Sequence, residues 1–282
     1  MNNRTILVTG ATGKQGGATI RSLAGSGFDI RAMTRKPHSE AARDLKNRGI
    51  TVVEGDLDDE DSLKRALDGA WGVYAVQNTW EAGVEGEETQ GHRLARLART
   101  AGVEHYVYAS VGSAHRKTGI PHFDNKARVE ETVQSIGFPS YVIVRPVFFM
   151  ENLTTPWFLN GDAIYAAMKP TTVLQMIAVE DIGTYGARAF TDPALKGRAI
   201  DIAGDAVTMP EAAAVLSEAF GRTITFVEVP IADVRKNSED FAIMLEWFGD
   251  VGYDVDIKGL EREFGIKPTT LKEWAAGQKV AG

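Results

Sequence analysis

Gly10-Ala11-Thr12-Gly13-Lys14-Gln15-Gly16 is the first stretch of the chain whose residue types and spacing can do chemistry. It follows an apolar run, Thr5-Ile6-Leu7-Val8-Thr9, and leads into a helical pattern. A strand-to-helix turn without side chains lets a pyrophosphate reach backbone N–H groups at the positive end of the helix. The G-x-x-G-x-x-G spacing is one variant of the dinucleotide fingerprint, and Gly17 adds room for helix and sheet to pack. A glycine-rich turn that binds nothing is the plain alternative. The strand before it and the helix after it both favour the phosphate reading.

The end of the second strand decides which dinucleotide is expected. NAD sites usually place Asp or Glu there, ~20 residues beyond the glycines, to bond the ribose 2′-hydroxyl. This chain has Thr34-Arg35-Lys36 instead. Two cations without a carboxylate suit a 2′-phosphate, so the expected cofactor is NADP(H). A solvated basic turn is the alternative. After the third strand, Gly55-Asp56-Leu57 is placed to meet the adenine, and Asp58-Asp59-Glu60-Asp61 reads as a helix N-terminus satisfying the dipole.

Other chemistries are excluded by composition. The chain has no cysteine, which removes disulfides, thiolate catalysis and zinc–thiolate sites. Its histidines (His38, His92, His105, His115, His122) are scattered and form no H-E-x-x-H pair, so no metal is expected. A net charge of -7 speaks against a broad nucleic-acid surface. No apolar run approaches the ~20 residues that span a bilayer. Met1-Asn2-Asn3-Arg4 leads straight into a strand pattern without a signal-peptide layout, so a cytoplasmic protein without membrane contact is expected.

These residues need a scaffold, and the first half supplies one. Apolar runs at Thr5–Thr9, Asp29–Thr34, Thr51–Glu54, Gly72–Val76, His105–Ala109 and Tyr141–Arg145 alternate with helical patterns near Gln15–Ser26, Glu40–Arg48, Leu63–Leu67, Glu88–Ala101 and Asn125–Ile136. Six strands with right-handed crossovers predict an α/β fold with a doubly wound parallel Rossmann sheet over residues 1–152. Beyond Pro146 the rhythm changes. Met176–Val179 and Ala199–Ala203 read as further strands, and Thr208-Met209-Pro210-Glu211 and Thr270-Leu271-Lys272-Glu273 as capping-box helix starts. Residues 153–282 are expected to form a smaller, closely packed α+β lobe for substrate or partner.

Thr9–Gly17, Thr34-Arg35-Lys36-Pro37, Gly55–Asp59, His122-Phe123-Asp124-Asn125-Lys126, Met150-Glu151-Asn152-Leu153 and Val179-Glu180-Asp181-Ile182-Gly183 together resemble the NmrA-like family. More narrowly, they resemble its HSCARG-like NADPH-sensing branch within the atypical short-chain dehydrogenases. The resemblance runs over nearly the whole chain. It implies a Rossmann domain binding NADP(H), with some members acting as reductases and others as cofactor-sensing regulators. By position it assigns Gly10–Gly16 to the pyrophosphate, Arg35 and Lys36 to the 2′-phosphate, and Asp56 and Leu57 to the adenine. Gln77, Asn78 and Thr79 line the ribose and nicotinamide path, Lys126 holds the nicotinamide ribose, and Phe149, Met150, Glu151 and Asn152 close over the nicotinamide end.

One departure bears on catalysis. Ordinary short-chain dehydrogenases use Y-x-x-x-K, in which lysine helps a tyrosine donate a proton; here the matching positions read His122-x-x-x-Lys126. Positions i and i+4 share a helical face. His122 is a proton donor, a polar contact for substrate or cofactor, or a packed histidine without chemistry. Ser110 resembles the family's carbonyl-orienting serine, with a structural cap as the alternative. Trp80, Phe148, Phe149 and Trp157 are candidates for a flat apolar pocket for a quinone or other aromatic acceptor, or for core. Trp247-Phe248 belongs either to the packing of the second lobe or to a partner surface. The function is therefore an NADPH-dependent reductase of a small planar acceptor, or a non-catalytic NADPH/NADP sensor acting through a protein partner, with a homodimer compatible with both.

Overall fold

Every strand expected in the first half belongs to one parallel sheet. The structure, a computed structural model, describes residues 4–278. The strands are β1 (Thr5–Val8), β2 (Asp29–Thr34), β3 (Thr51–Glu54), β4 (Gly72–Ala75), β5 (His105–Ala109) and β6 (Ser140–Pro146). Between them run α1 (Lys14–Leu23), α2 (Glu40–Asn47), α3 (Glu60–Leu67), α4 (Thr79–Thr100) and α5 (Pro121–Ser135). The rest of the chain adds β7 (Phe148–Phe149), β8 (Leu159–Asn160), β9 (Ala163–Ala166), β10 (Val173–Ile177), β11 (Arg198–Ile202), β12 (Asp205–Thr208) and β13 (Thr225–Glu228). Its helices are α6 (Val179–Thr191), α7 (Met209–Phe220), α8 (Ile231–Asn237), α9 (Glu239–Asp250), α10 (Ile257–Phe264) and α11 (Leu271–Ala276).

The main sheet has seven strands in the order β3-β2-β1-β4-β5-β6-β11, all parallel. Its central strands are buried on both faces, as near-continuous apolar runs require. Ile6 and Val8 point into one core shared with α1 and α6, and Leu7 into the opposite one with Leu63, Leu67 and Leu94. That is the period-two alternation of a strand.

Two segments from the second half serve this sheet rather than the smaller lobe. The strand expected at Ala199–Ala203 is β11, and it extends the sheet beside β6, with Ile200 opposite Val144. Helix α6 lies against α1 backbone to backbone: a Cβ on Gly183 would stand 2.5 Å from the Ala18 carbonyl carbon, and one on Gly186 2.8 Å from Thr19 Oγ1. The chain thus crosses residue 152 and returns to complete the Rossmann unit. Within the Val179–Gly183 motif, Asp181 accepts hydrogen bonds from Thr269 N and Thr269 Oγ1, both at 2.8 Å, and so ties down the approach to α11.

The smaller lobe carries two three-stranded sheets, β12-β10-β7 and β13-β9-β8, under α7, α9 and α11. Its core gathers Leu153, Phe158, Met176, Leu216, Trp247, Phe248 and Trp274, which places Trp247-Phe248 in packing. Both capping boxes form, at Thr208 with Glu211 and at Thr270 with Glu273. Helix α4 departs from expectation by starting at Thr79 rather than near Glu88, with a non-helical break at Gly83 (φ 74°, ψ 169°). Asn78 explains the earlier start, since its side chain caps the new terminus by accepting from Trp80 N at 3.1 Å. Among the described residues, no helix is long and apolar enough to cross a membrane.

Candidate functional site

Beyond the carboxyl ends of β1 to β6 lies one cleft of about 870 Å³, the place where doubly wound sheets bind ligands. Its floor is the glycine turn. Gly10 has φ +58°, and a Cβ there would also press within 3.3 Å of the Val76 side chain. Gly13 is the N-cap of α1 and donates its N–H to Gly10 O at 2.9 Å. Gly16 lies deeper, where a Cβ would stand 2.4 Å from Gly10 O. Gly16, rather than Gly17, is therefore the close-packing glycine: a Cβ on Gly17 would meet nothing nearer than 3.5 Å. Gly10, Thr12, Gly13, Lys14 and Gln15 line the cleft, while Ala11 and Gly16 are buried beneath it.

At one end Arg35 and Lys36 follow β2, joined by Ser39, whose hydroxyl caps α2 by accepting from Ala42 N at 3.2 Å. Arg35 Nη2 makes an ion pair with Glu81 Oε2 from the first turn of α4. Next to them, Gly55 passes so close to Met33 that a Cβ would lie 2.6 Å from its Sδ. The Asp56 carboxylate accepts from Asp58 N at 3.0 Å, which folds the turn. Helix α4 fixes that turn from behind: Arg93 donates to Leu57 O at 2.7 Å and Gln90 to Asp58 Oδ2 at 2.8 Å. Asp56 and Leu57 both line the cleft beside this anchor.

The other end is built by α4 and α5. Gln77 is only 5% exposed, lines the cleft, and has neither amide atom hydrogen-bonded. A buried polar group without a partner is costly, so a polar ligand in the cleft fits this side chain. The glycine floor and the Arg35–Lys36–Ser39 corner fit a phosphorylated dinucleotide on the same grounds. Lys126 Nζ donates to Glu87 Oε1 at 2.7 Å, and the pair is almost wholly buried, at 12% and 1% side-chain exposure. Asn125 Nδ2 donates to Glu87 Oε2 at 3.0 Å, and the Thr79 hydroxyl donates to the same oxygen. Burial pushes the Glu87 pKa up, but the Lys126 charge and the hydrogen bonds from Lys126, Thr79 and Asn125 outweigh it and hold it below the usual carboxylate value.

His122, on the first turn of α5, also lines the cleft. Its Nδ1 stands 2.5 Å from Asp240 Oδ2 on α9, off the hydrogen-bonding axis, and its backbone N–H donates to Asp240 Oδ1 at 3.1 Å. Ser110 reaches the cleft, but its hydroxyl donates to Glu130 Oε1, away from any substrate. Glu130 is held in turn by Arg145, with Nε to Oε1 at 2.9 Å and Nη2 to Oε2 at 2.5 Å. Of the two readings of Ser110, this geometry favours the structural one.

Phe148, Phe149 and Asn152 line the cleft, whereas Met150 is fully buried in the core of the smaller lobe. Glu151 turns to a separate, smaller pocket, where its Oε1 accepts from Val179 N at 3.0 Å and Trp274 Nε1 at 2.9 Å. Trp80 lines the cleft and is 63% exposed; Trp157 is 71% exposed and lies outside the lining, with its ring 6.1 Å from Phe241. Asn78 and Thr79 are in the lining as expected.

Sequence reasoning missed Glu87, Asp240, Ser39, Glu81 and the apolar wall of Phe241, Met244, Phe248 and Tyr253. Glu87 had a signal. It shares the buried stripe of α4 with Gln90, Gly91, Leu94, Ala95 and Ala98, so a carboxylate sits on an apolar face. Gly91 brings the helices together there, since a Cβ would lie 2.7 Å from Val129 Cγ2 on α5. Asp240 and Phe241 had none, because Asp240 meets His122 118 residues earlier and Phe241 meets Trp80, Trp157 and Phe158 on distant segments.

Known proteins are similar to this one in both sequence and structure. A reductase of (4-alkanoyl-5-oxo-2,5-dihydrofuran-3-yl)methyl phosphate from Streptomyces griseus is 30% identical over 82% of this chain and 79% of its own length. An NmrA-like family domain-containing oxidoreductase of Aspergillus japonicus is 33% identical, but over 54% of this chain and only 48% of the fungal protein. The chain thus spans about half the length of that fungal relative. The crystal structure of an NADPH-dependent quinone oxidoreductase from Escherichia coli with NADPH superposes with a TM-score of 0.80, at 26% identity over 96% of this chain and 98% of that one. Residues 2–277 match the NmrA-like family, and the chain belongs to it.

Proposed function

We propose that this protein is an NADP(H)-dependent oxidoreductase that reduces a small planar acceptor of the quinone type. The observation that carries the reading is the continuity of the cleft, from the Arg35–Lys36–Ser39 corner over the glycine turn to the Glu87–Lys126 pair and an aromatic wall. That far end is open space rather than the protein's own packed side chains, which a binding pocket for a second molecule needs.

Backbone N–H groups at Thr12 and at the first turn of α1, Lys14 and Gln15, meet the pyrophosphate, and Arg35, Lys36 and Ser39 meet the 2′-phosphate. Asp56 and Leu57 border the adenine, and the unpartnered Gln77 amide gains hydrogen bonds when the cleft is filled. Lys126, oriented by Glu87, holds the ribose of the nicotinamide. NADPH supplies two electrons and one hydrogen to the acceptor. Reduction of a quinone needs one further proton, which His122 in the cleft lining provides. Phe148, Phe241 and Phe248 give an apolar aromatic wall for the ring. Support also comes from the relatives: the Streptomyces protein is named a reductase and the Escherichia coli structure a quinone oxidoreductase.

A second reading, a sensor of the HSCARG-like kind working through a protein partner, draws on Ser110, whose hydroxyl is committed to Glu130. The deciding experiment is NADPH consumption measured against a panel of quinones, dyes and aldehydes, with limited proteolysis in parallel. Turnover with a planar acceptor supports the reductase. No turnover, together with NADPH-dependent protection or a changed oligomeric state, replaces it with the sensor.

A further inference from the structure

The first turn of α4 carries a carboxylate into the cleft at an unexpected place. Glu81 Oε2 pairs with Arg35 Nη2, the guanidinium at the end of β2, and both side chains are about half exposed at the cleft mouth. Glu81 does not arrive there by chance of rotamer alone. Asn78 caps the turn through Trp80 N and also donates from Nδ2 to Glu81 Oε1 at 3.3 Å, so the carboxylate is held on both oxygens. Gly83, with φ 74° and ψ 169°, breaks the helical path just beyond and separates residues 79–82 from the rest of α4. A two-cation corner without an acidic residue on β2 marks a phosphate site, yet here an acid from a different element occupies one of the two cations.

We infer that Glu81 is a specificity-determining residue: its carboxylate competes with the 2′-phosphate for Arg35 and so tempers the preference for NADP(H) over NAD(H). The inference rests on the assignment of Arg35 to the 2′-phosphate made above. A carboxylate on a guanidinium is the same charge-assisted contact that a phosphate makes. Binding NADP(H) must break it; binding NAD(H), which lacks the phosphate, leaves it intact. An exposed ion pair contributes modestly, so the effect on affinity is a factor of about three to five rather than orders of magnitude. The broken helix at Gly83 gives the turn a place to swing when the pair opens. The same turn carries Trp80, whose ring lies 5.5 Å from that of His122 and 6.3 Å from that of Phe241.

The test is a double-mutant cycle of Arg35→Ala and Glu81→Gln, read as Kd for NADPH and for NADH by calorimetry. Glu81→Gln is expected to tighten NADPH about threefold to fivefold and leave NADH unchanged, and to have no effect in the Arg35→Ala background. If Glu81→Gln leaves NADPH affinity unchanged, or shifts both cofactors equally, or acts equally without Arg35, the inference is overturned. If Arg35→Ala leaves the NADPH-to-NADH ratio intact, the phosphate assignment itself has failed. Circular dichroism of each variant against wild type keeps misfolding from being read as lost affinity.

Discussion

Glu87 Oε1 and Lys126 Nζ form a 2.7 Å ion pair that joins α4 to α5 at the inner end of the cleft, one helical turn beyond His122. The lysine is thereby aimed rather than free. Glu87→Gln removes the charge and leaves a mostly buried ammonium uncompensated, so unfolding in urea should show a loss of roughly 2–4 kcal/mol near neutral pH. The sign of the pH dependence follows from the lowered Glu87 pKa. A depressed carboxylate stabilises the fold fully above its ordinary value of 4.5, and that contribution is lost as pH falls through the lower folded value. The stability difference between wild type and Glu87→Gln should shrink in that acid window. A constant difference across it contradicts the pairing.

Arg35→Ala should weaken NADPH by about 1.5–3 kcal/mol and change NADH little, since one charge-assisted contact to a phosphate is removed. Equal affinity of the wild type for both cofactors would refute the role of the Arg35–Lys36 corner.

His122→Phe keeps the bulk beside Phe123 and Trp80 but cannot pass a proton. With a quinone acceptor, kcat should fall by ~10², while the Michaelis constant for NADPH stays near wild type. Asp240→Asn should give a smaller loss, because the imidazole remains and only the neighbouring charge is gone. Unaltered kcat in His122→Phe with lowered thermal stability would return His122 to packing.

Ser110→Ala separates this site from that of ordinary short-chain dehydrogenases. The hydroxyl donates to Glu130, so turnover should stay within about twofold of wild type. Loss of that donor inside the Arg145–Glu130 network should lower stability by about 1–3 kcal/mol. A collapse of kcat with stability intact would mean that Ser110 serves the acceptor.

The cofactor half of the cleft was legible because it is made of short-range features. The glycines, the basic pair and Gly55-Asp56-Leu57 each sit at the end of a strand that its own apolar run reveals. The acceptor half was much less so. Aromatic type alone puts Trp157 in the pocket, yet it stands 71% exposed outside the lining; on the right segment, Met150 points into the core of the smaller lobe and Glu151 into a second pocket beside α1, α6 and α11. Residues that do close that end, Asp240 and Phe241, come from α9, far along the chain. The same long-range return hid β11, whose five residues read equally well as a strand of either sheet. Gly183 and Gly186 are the physical reason for that return: they let α6 lie on α1 and so carry β11 back to β6.

The central claim is that one cleft brings NADPH and an aromatic acceptor together, and Gly13→Val tests it most directly. A valine there puts its side chain over the floor where the pyrophosphate meets the start of α1, and its Cβ stands 3.2 Å from Gly10 O, a tight contact that a small shift of the turn relieves, so the fold is expected to survive. The measurement is NADPH oxidation with a water-soluble benzoquinone, wild type against Gly13→Val, with circular dichroism of both. Turnover by wild type and none by a folded Gly13→Val protein is the predicted result. Equal turnover by both, or none by wild type, would contradict the account.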